Sequence, residues 1–157
     1  MAVNPNFQVK LASTPDDLRA AQHLRYNVFV RELGSDGPMV DHEAMIEADS
    51  FDGACQHLLL LDCNRGGDVR SQTVGVYRVM NSDGAAQRGG FYSETEFDLS
   101  VLTGSGRQLV ELGRSCLHPD YRGVLKSYVL NFEGAEISED DIDENTACLI
   151  VQSPDFY

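Results

Sequence analysis

The sequence predicts an α+β fold, an α/β sandwich in which helices pack on a single sheet. Three observations predict it. Short segments with the patterns of strands alternate with segments of helical spacing. Their order, β-α-β-β-β-α-β, favours helices packed on one sheet. The length of 157 residues, with 42% apolar and 24% charged residues, suits one soluble domain with a conventional core.

The N-terminal segments predict a strand followed by a long helix. Phe7–Leu11 alternates apolar and polar residues, as a half-buried strand does. Residues 13–17 then supply a helix cap, a proline for the first turn and two acids at the positive end of the helix. Apolar residues at helical spacing continue to Leu33, and Gly34 ends the helix. Residues 35–50 have no clear period and predict a loop.

The middle of the chain predicts a hairpin. Gln56–Asp62 is a short apolar run typical of a buried strand, residues 64–68 have turn chemistry, and residues 73–80 return as a second strand. The remaining predicted elements are a loop at 81–90, a weak strand at 91–97, a short helix or turn at 100–106, a strand at Leu109–Leu117, a helix at 122–132, an acidic loop, and a last strand at 146–151.

Composition excludes several classes of protein. The net charge of -13 argues against nucleic-acid binding. No apolar run approaches the roughly 20 residues that span a bilayer, and the N-terminus lacks a signal peptide. The four cysteines contain no CxxC pair, which favours reduced thiols in the cytoplasm over a disulfide frame or a zinc site. The acids at 133–144 lack the spacing of a calcium loop, so we predict a solvated loop and no metal.

The predicted strand Leu109–Leu117 carries two opposite charges, Glu111 and Arg114. Charged side chains on an apolar strand destabilise the fold unless each has a partner. Pairing with a sheet neighbour such as Arg78 is one explanation. The other is a site in which Glu111 holds an acceptor amine beside a donor cofactor, bound where the strand gives way to a helix.

Two further charged groups precede this strand. Arg25 and Phe29 lie one helical turn apart, and their spacing alone favours a surface arginine beside a core phenylalanine. Glu47, Asp49 and Asp52 fall in one loop, and their pattern alone favours a turn whose acids cap backbone amides. The alternative for both groups is a binding site for a charged ligand.

Six segments together resemble the ornithine Nα-acyltransferases, which make ornithine lipids. The segments are LRYNVFVRELG (24–34), EADSFD (47–52), HLLLLD (57–62), VGVYRV (74–79), GFYSETEFDLS (90–100) and VELGRSCLHPDYR (110–122). The resemblance runs in order over about residues 7–123. It implies a GNAT-like fold, similar to that of acyl-homoserine-lactone synthases. The shared motif positions fall on Arg25, Phe29, Glu47, Asp49, Asp52, Arg78, Glu111 and Arg114.

The resemblance implies amide formation, in which the α-amine of ornithine attacks the thioester of a 3-hydroxyacyl chain on acyl carrier protein. The amine must lose a proton, which a carboxylate can take. Glu111 is the expected base, and Glu47 orders the loop or serves as an alternative base. The remaining positions bind substrate: Asp49 and Asp52 hold the cationic acceptor, while Arg25, Arg78 and Arg114, with Phe29, orient the acidic loop and the acceptor carboxylate.

The same resemblance locates the acyl donor. The donor is a phosphopantetheine thioester, so no resident cofactor is expected. It would lie where the strand at 109–117 splays from its neighbour, with its phosphate on the following turn near Arg122, Gly123 and Lys126. Two of these three residues are cations and could join Arg114 in a basic docking face for the acidic carrier protein. The lipid product suggests peripheral contact with a membrane.

The family pattern is lost after Gly123. We therefore predict a GNAT-like region over residues 1–123 and a divergent tail over residues 124–157, with a GNAT fold that is incomplete at the C-terminus. Residues 118–128 and 143–157 instead resemble a fragment of glycine dehydrogenase (decarboxylating), which suggests a fused or recombined sequence with impaired activity. An acyl-homoserine-lactone synthase and a catalytically inactive acyltransferase-like domain remain as alternatives.

Overall fold

The strands form one sheet in a computed structural model that describes residues 6–122 and the backbone of residues 148–151. Within these residues the strands are β1 (Phe7–Leu11), β2 (Gln56–Asp62), β3 (Thr73–Asn81), β4 (Leu109–Leu117) and β5 (Cys148–Val151). They lie side by side in chain order. The first four are antiparallel, and β5 runs parallel to β4. This sheet and its helices confirm the α+β fold.

Helix α1 (Pro15–Arg25) begins as the sequence predicts but changes its winding halfway along. The Thr14 hydroxyl accepts a hydrogen bond from the Asp17 N–H, and the Asp17 carboxylate accepts one from the Thr14 N–H, so the two residues form a capping box. The helix continues as a π-helix over Tyr26–Glu32, which the sequence did not predict. It ends before Gly34, whose φ of +76° suits glycine. A short second helix, α2 (Val69–Gln72), lies between β2 and β3.

Two predictions between β3 and β4 were wrong. Residues predicted as a loop form helix α3 (Ser82–Arg88), because the Asn81 side chain accepts a hydrogen bond from the Gly84 N–H and caps it. Gly84 is needed for packing, since a Cβ there would lie 2.3 Å from the Ala54 carbonyl oxygen. The predicted weak strand at 91–97 is instead a 3₁₀ turn over Tyr92–Thr95. The predicted short helix appears as α4 (Ser100–Thr103).

The helices cover one face of the sheet, and the core falls into two clusters. The first joins α1 and the π-helix to the strands and contains Ala21, Leu24, Val28, Phe29, Leu59, Leu61, Val76 and Cys116. The second contains Met80, Ala85, Phe91 and Leu109. On β3, Arg78 lies between Val76 of the first cluster and Met80 of the second. A buried arginine therefore stands where the two apolar clusters meet.

Strand β4 contains a β-bulge at Arg114. Arg78 pairs with Gly113 and Val76 with Cys116, so two residues of β4 stand opposite Tyr77 alone. Arg114 adopts a left-handed φ of 50°, which is uncommon for a residue other than glycine. Positions 111 and 114 of an unbroken strand face opposite sides of a sheet. The extra residue brings Arg114 onto the face that carries Arg78.

The tail is described only in part. Strand β5 (Cys148–Val151) confirms the predicted last strand within the described residues. The predicted helix beyond Arg122 and the acidic loop lie outside the described residues, as do Gly123 and Lys126. The helices that are described include none with the length and apolar character to cross a membrane. In the same part of the chain, no group of three acids, histidines or cysteines could hold a metal ion.

A candidate active site at the bulge of β4

Three arginines meet three carboxylates on the helix-covered face of the sheet. The residues come from the three groups singled out in the sequence, one on a helix, one in a loop and one on the strands. We call them the charged network: Arg25, Arg78, Arg114, Glu47, Asp49 and Asp52. Their formal charges cancel. This balance lets the ions be buried together, since a buried charge without a partner is strongly unfavourable.

Arg25 lies at the deepest point of the charged network. It is 0% exposed, so the expectation of a surface arginine from its spacing was wrong. Its Nε donates to Glu47, and its Nη1 donates to Asp52 Oδ1 at 2.8 Å. Burial disfavours its charge, but Asp52 and Glu47 raise the pKa of Arg25. Phe29, one turn later, is buried in the first apolar cluster, as that interpretation expected.

Asp52 accepts three hydrogen bonds from protein side chains. Its Oδ1 accepts from Arg25 at 2.8 Å and from Arg78 at 3.1 Å, and its Oδ2 accepts from Gln22 Nε2 at 3.0 Å. Burial opposes its charge, but the neighbouring Arg25 holds the pKa of Asp52 below its usual value. Its side chain is only 7% exposed, so the carboxylate presents little surface to a ligand. Gln22, which fixes it, was not identified from the sequence.

Asp49 is the most accessible carboxylate of the charged network. Its side chain is 19% exposed, against 7% for Asp52 and 9% for Glu47. Both of its oxygens lie 2.6 Å from Arg78 Nη1, and Oδ2 also accepts from Arg114 Nη2 at 3.0 Å. Burial would raise its pKa, but the hydrogen bond from Arg78 lowers the pKa of Asp49.

The acidic loop and the bulge of β4 meet at a cleft of about 320 Å³. Its charged lining residues are Asp36, Glu47, Asp49 and Arg114, and the other lining residues lie within 35–40 and 47–50. The side chain of Arg114 is 25% exposed. Its Nε lies 3.4 Å from Glu47 Oε1 without forming an aligned hydrogen bond. That Nε is buried, so the cleft presents carboxylate oxygens and the exposed part of the Arg114 guanidinium.

Glu111 lies on the same face of the sheet but contacts neither Arg78 nor Arg114. It is 3% exposed, and its partners are the residues of the 3₁₀ turn. Oε2 accepts from the Tyr92 N–H at 2.9 Å, while Oε1 accepts from the Ser93 N–H at 2.8 Å and from the Ser93 hydroxyl. The interpretation of Glu111 as the ion-pair partner of a sheet neighbour was wrong, because Arg78 turns to Asp49 and Asp52 instead.

Aromatic rings connect Glu111 to the charged network. The Tyr92 ring centre lies 5.3 Å from Arg114 Cζ and 5.8 Å from Arg78 Cζ. Phe51 packs edge-on against Tyr92 and also lies 5.8 Å from Arg78 Cζ. Phe29 lies 6.0 Å from Arg114 Cζ, at the outer limit of a cation–π contact. Tyr92 and Phe51 lie in two of the segments that resemble the ornithine Nα-acyltransferases. The sequence pattern gave no indication that their rings contact the arginines.

The expected donor region is described only up to Arg122. That guanidinium pairs with Glu32 at the end of the π-helix (Nη2 to Oε2, 2.7 Å) and donates to the Leu117 carbonyl at 3.3 Å. Four residues of β4, from Leu109 to Leu112, pair with β5. In the described part of the chain, residues 113–117 have no strand partner on that side of β4.

Comparisons with known proteins agree with this arrangement. The chain is 48% identical over 143 residues to the L-ornithine N(alpha)-acyltransferase of Rhodobacter capsulatus, covering 85% of this chain and 55% of that protein. It is 40% identical over 119 residues to the protein of that name from Rhizobium meliloti, covering 74% and 40%. The predicted resemblance is thus confirmed, and the chain spans about half the length of the relatives it matches. The resemblance of the tail to glycine dehydrogenase stays a prediction.

Solved structures share the fold at low sequence identity. FeeM, an N-acyl amino acid synthase from uncultured soil microbes, superposes with a TM-score of 0.55 at 18% identity and covers 93% of this chain and 71% of FeeM. The AHL synthase LasI gives 0.50 at 17% identity, with coverage of 81% and 64%. A family model described as an acetyltransferase (GNAT) domain matches residues 24–131. Because that match covers strands β2 to β4 and more than half of the chain, the chain belongs to the GNAT acetyltransferase domain family.

Proposed function

We propose that the chain carries the acceptor site of an N-acyltransferase that moves a 3-hydroxyacyl chain from acyl carrier protein to the α-amine of L-ornithine. The observation that supports this most directly is the cleft in which Glu47 and Asp49 meet Arg114. The names of the relatives agree with an ornithine acceptor. A GNAT domain agrees with acyl transfer.

The charges of the cleft complement those of a cationic amino acid. Ornithine carries a side-chain ammonium, an α-amine and a carboxylate. Asp49 and Glu47 offer oxygens to an ammonium group. Arg114 lines the cleft with a side chain that is 25% exposed, so its guanidinium can donate to the carboxylate of the acceptor. In this proposal Arg25, Arg78 and Asp52 hold the acidic loop in place, since each is buried and occupied by ionic partners.

The chemistry needs one proton to leave the acceptor amine. The nitrogen attacks the thioester carbonyl carbon, a C–N bond forms, the C–S bond breaks, and the thiolate of the carrier departs and is protonated. The proton lost by the amine passes to a carboxylate, directly or through a water. Glu111 is the proposed base because, among the described residues, it is a carboxylate without an ion-pair partner and lies next to the charged network. Glu47, which is bound to Arg25 and borders the cleft, is the alternative base.

The donor would enter along β4. Residues 113–117 lie beyond the paired part of β4 and β5, so their outer backbone groups could bond the amides of a pantetheine arm. Arg122 stands at the end of this path. Its pairing with Glu32 means that a phosphate would have to share or displace that carboxylate. Gly123 and Lys126 complete the proposed phosphate contacts.

A thioester-release assay with 3-hydroxyacyl carrier protein tests the proposal. We expect release and an N-acylated product with L-ornithine, and none with S-adenosylmethionine. Asp49→Asn should lower kcat/KM for ornithine by about 10- to 100-fold, as expected for a lost charged hydrogen bond. Asp83→Asn, at an exposed acid on α3, is the matched control and should leave it unchanged. Product with S-adenosylmethionine alone, or no release with either acceptor, would overturn the proposal.

A further inference from the structure

The two oxygens of Glu111 have unequal surroundings. Oε1 receives two donors, the N–H and the hydroxyl of Ser93. Oε2 receives one donor, the Tyr92 N–H at 2.9 Å. An ionised carboxylate has about two acceptor sites on each oxygen. Oε1 is therefore filled, and Oε2 is the oxygen with room to accept another hydrogen.

The turn that supplies these donors is itself fixed. The Glu94 carboxylate accepts from the Phe91 N–H at 2.6 Å, which closes the turn. Phe91 is buried in the second apolar cluster with Met80 and Leu109. Ser93 is 2% exposed, so its hydroxyl is shielded from water. A donor held in this way fixes the rotation of the Glu111 carboxylate.

Tyr92 joins the same turn to the charged network. Its backbone N–H holds Glu111, while its ring lies over Arg114 and beside Arg78. The two arginines bind Asp49 at the cleft. One residue thus relates the position of the carboxylate to the position of the acceptor cleft.

We propose that Ser93 and Tyr92 are positioning residues of the acyl transfer. Ser93 fills Oε1 of Glu111, so that Oε2 is the atom that takes the amine proton. The Tyr92 ring fixes the position of that carboxylate relative to Arg114 and the cleft. This inference rests on the proposed function, because it gives Glu111 the role of base. It adds the oxygen atom that accepts the proton and the two residues that orient the carboxylate.

The test is a Ser93→Ala substitution read by pH profile. Loss of the hydroxyl removes one hydrogen bond to the ionised carboxylate, which disfavours that form. The acidic limb of kcat/KM should then move up by about one pH unit, with a loss of about tenfold at the wild-type optimum. Ser93→Thr keeps the hydroxyl and should restore both. Ser71→Ala, at an exposed serine on the short helix Val69–Gln72, is the matched control and should change neither.

A second measurement does not need turnover. The NMR signal of the Glu111 side-chain carboxyl carbon is the one that disappears in Glu111→Gln. This signal can be followed in a pH titration of the full chain. Its transition should move to higher pH in Ser93→Ala and stay in place in Ser93→Thr. If Ser93→Ala does not fold, Ser93→Cys keeps the volume with a weaker donor and should show the same direction of change.

The outcomes separate the two proposals. A wild-type chain without turnover contradicts the proposed function. The NMR titration would still test the contact between Ser93 and Glu111. An active wild type whose Ser93→Ala variant has an unchanged acidic limb and an unchanged titration overturns the positioning role alone. Equal losses in Ser93→Ala and Ser93→Thr, with no pH shift, would also overturn it, since that pattern indicates packing.

Discussion

The charged network has a closed half and an open half that are built from the same residue types. In the closed half, Arg25 and Asp52 are nearly without solvent exposure, and Gln22 donates a further hydrogen bond to Asp52. In the open half, Asp49 and Arg114 line the cleft, and their side chains are 19% and 25% exposed. The difference indicates that the closed half is a scaffold and that the open half is available to a ligand.

The closed half gives the largest expected effect on stability. Arg25→Met would leave Glu47 and Asp52 buried without their main cation, and breaking a buried pair from one side costs about 3–5 kcal/mol. We expect a loss of this size in the free energy of unfolding measured with urea. Arg19→Met, at an exposed arginine of the same helix, is the control and should change it by less than about 0.5 kcal/mol. A similar small loss for Arg25→Met would contradict the scaffold role.

The open half should affect binding more than stability. Arg114→Gln removes the ionic contacts with Asp49 and Glu47, but the site is a quarter exposed and water can replace part of them. We expect the KM for the acceptor to rise about tenfold or more, with an unfolding free energy lowered by less than about 1 kcal/mol. Kinetics and urea unfolding on one preparation measure both. A loss of stability as large as that of Arg25→Met would erase the distinction between the halves.

Acid should weaken the charged network in a defined direction. The arginines lower the pKa of Asp49 and of Asp52 in the folded chain. A lowered folded pKa contributes stability that is present above the ordinary aspartate value of about 3.9 and is lost as pH falls through the folded value. The unfolding free energy should therefore decrease with falling pH below about 4, and Asp52→Asn should flatten that decrease. An unchanged slope in the variant would contradict this account.

The regular strands and the first helix were predictable because their signals are local. β1 and β2 follow from alternation and from an apolar run, and α1 begins where its cap and proline stand. Helix α3 was missed because its start contains turn residues, and the reason for Gly84 lies in a contact with Ala54, thirty positions away. Local pattern carries no information on such a contact.

The site was predictable in membership but not in arrangement. The resemblance named all six residues of the charged network, yet Arg25 and Glu47 meet across 22 positions, and Arg114 and Asp49 across 65. The bulge has no sequence signal, since its left-handed residue is an arginine and not a glycine. Without the bulge, the strand period would place Glu111 and Arg114 on opposite faces. Ser93 could not be assigned from the sequence because its partner, Glu111, lies on another element.

The N-terminal cap of α1 stabilises the helix that carries Arg25 of the closed half. Removing this cap should have the smallest effect of the predicted changes. Burial disfavours the charge of Asp17, but the hydrogen bonds from Lys10, Ser13 and Thr14 lower its pKa to about 2. Asp17→Ala removes the capping box, which should lower the free energy of unfolding by about 1 kcal/mol.

The exposed neighbour Asp16 provides the control for this cap. Among the described residues its ionic contact is with Arg19 at 3.9 Å, so Asp16→Ala should lower the unfolding free energy by no more than a few tenths of a kcal/mol. Because the cap orders the first turn and not the network, KM for the acceptor should be unchanged in Asp17→Ala. A raised KM would show that the start of α1 is coupled to Arg25, and the closed half would then extend the full length of the helix.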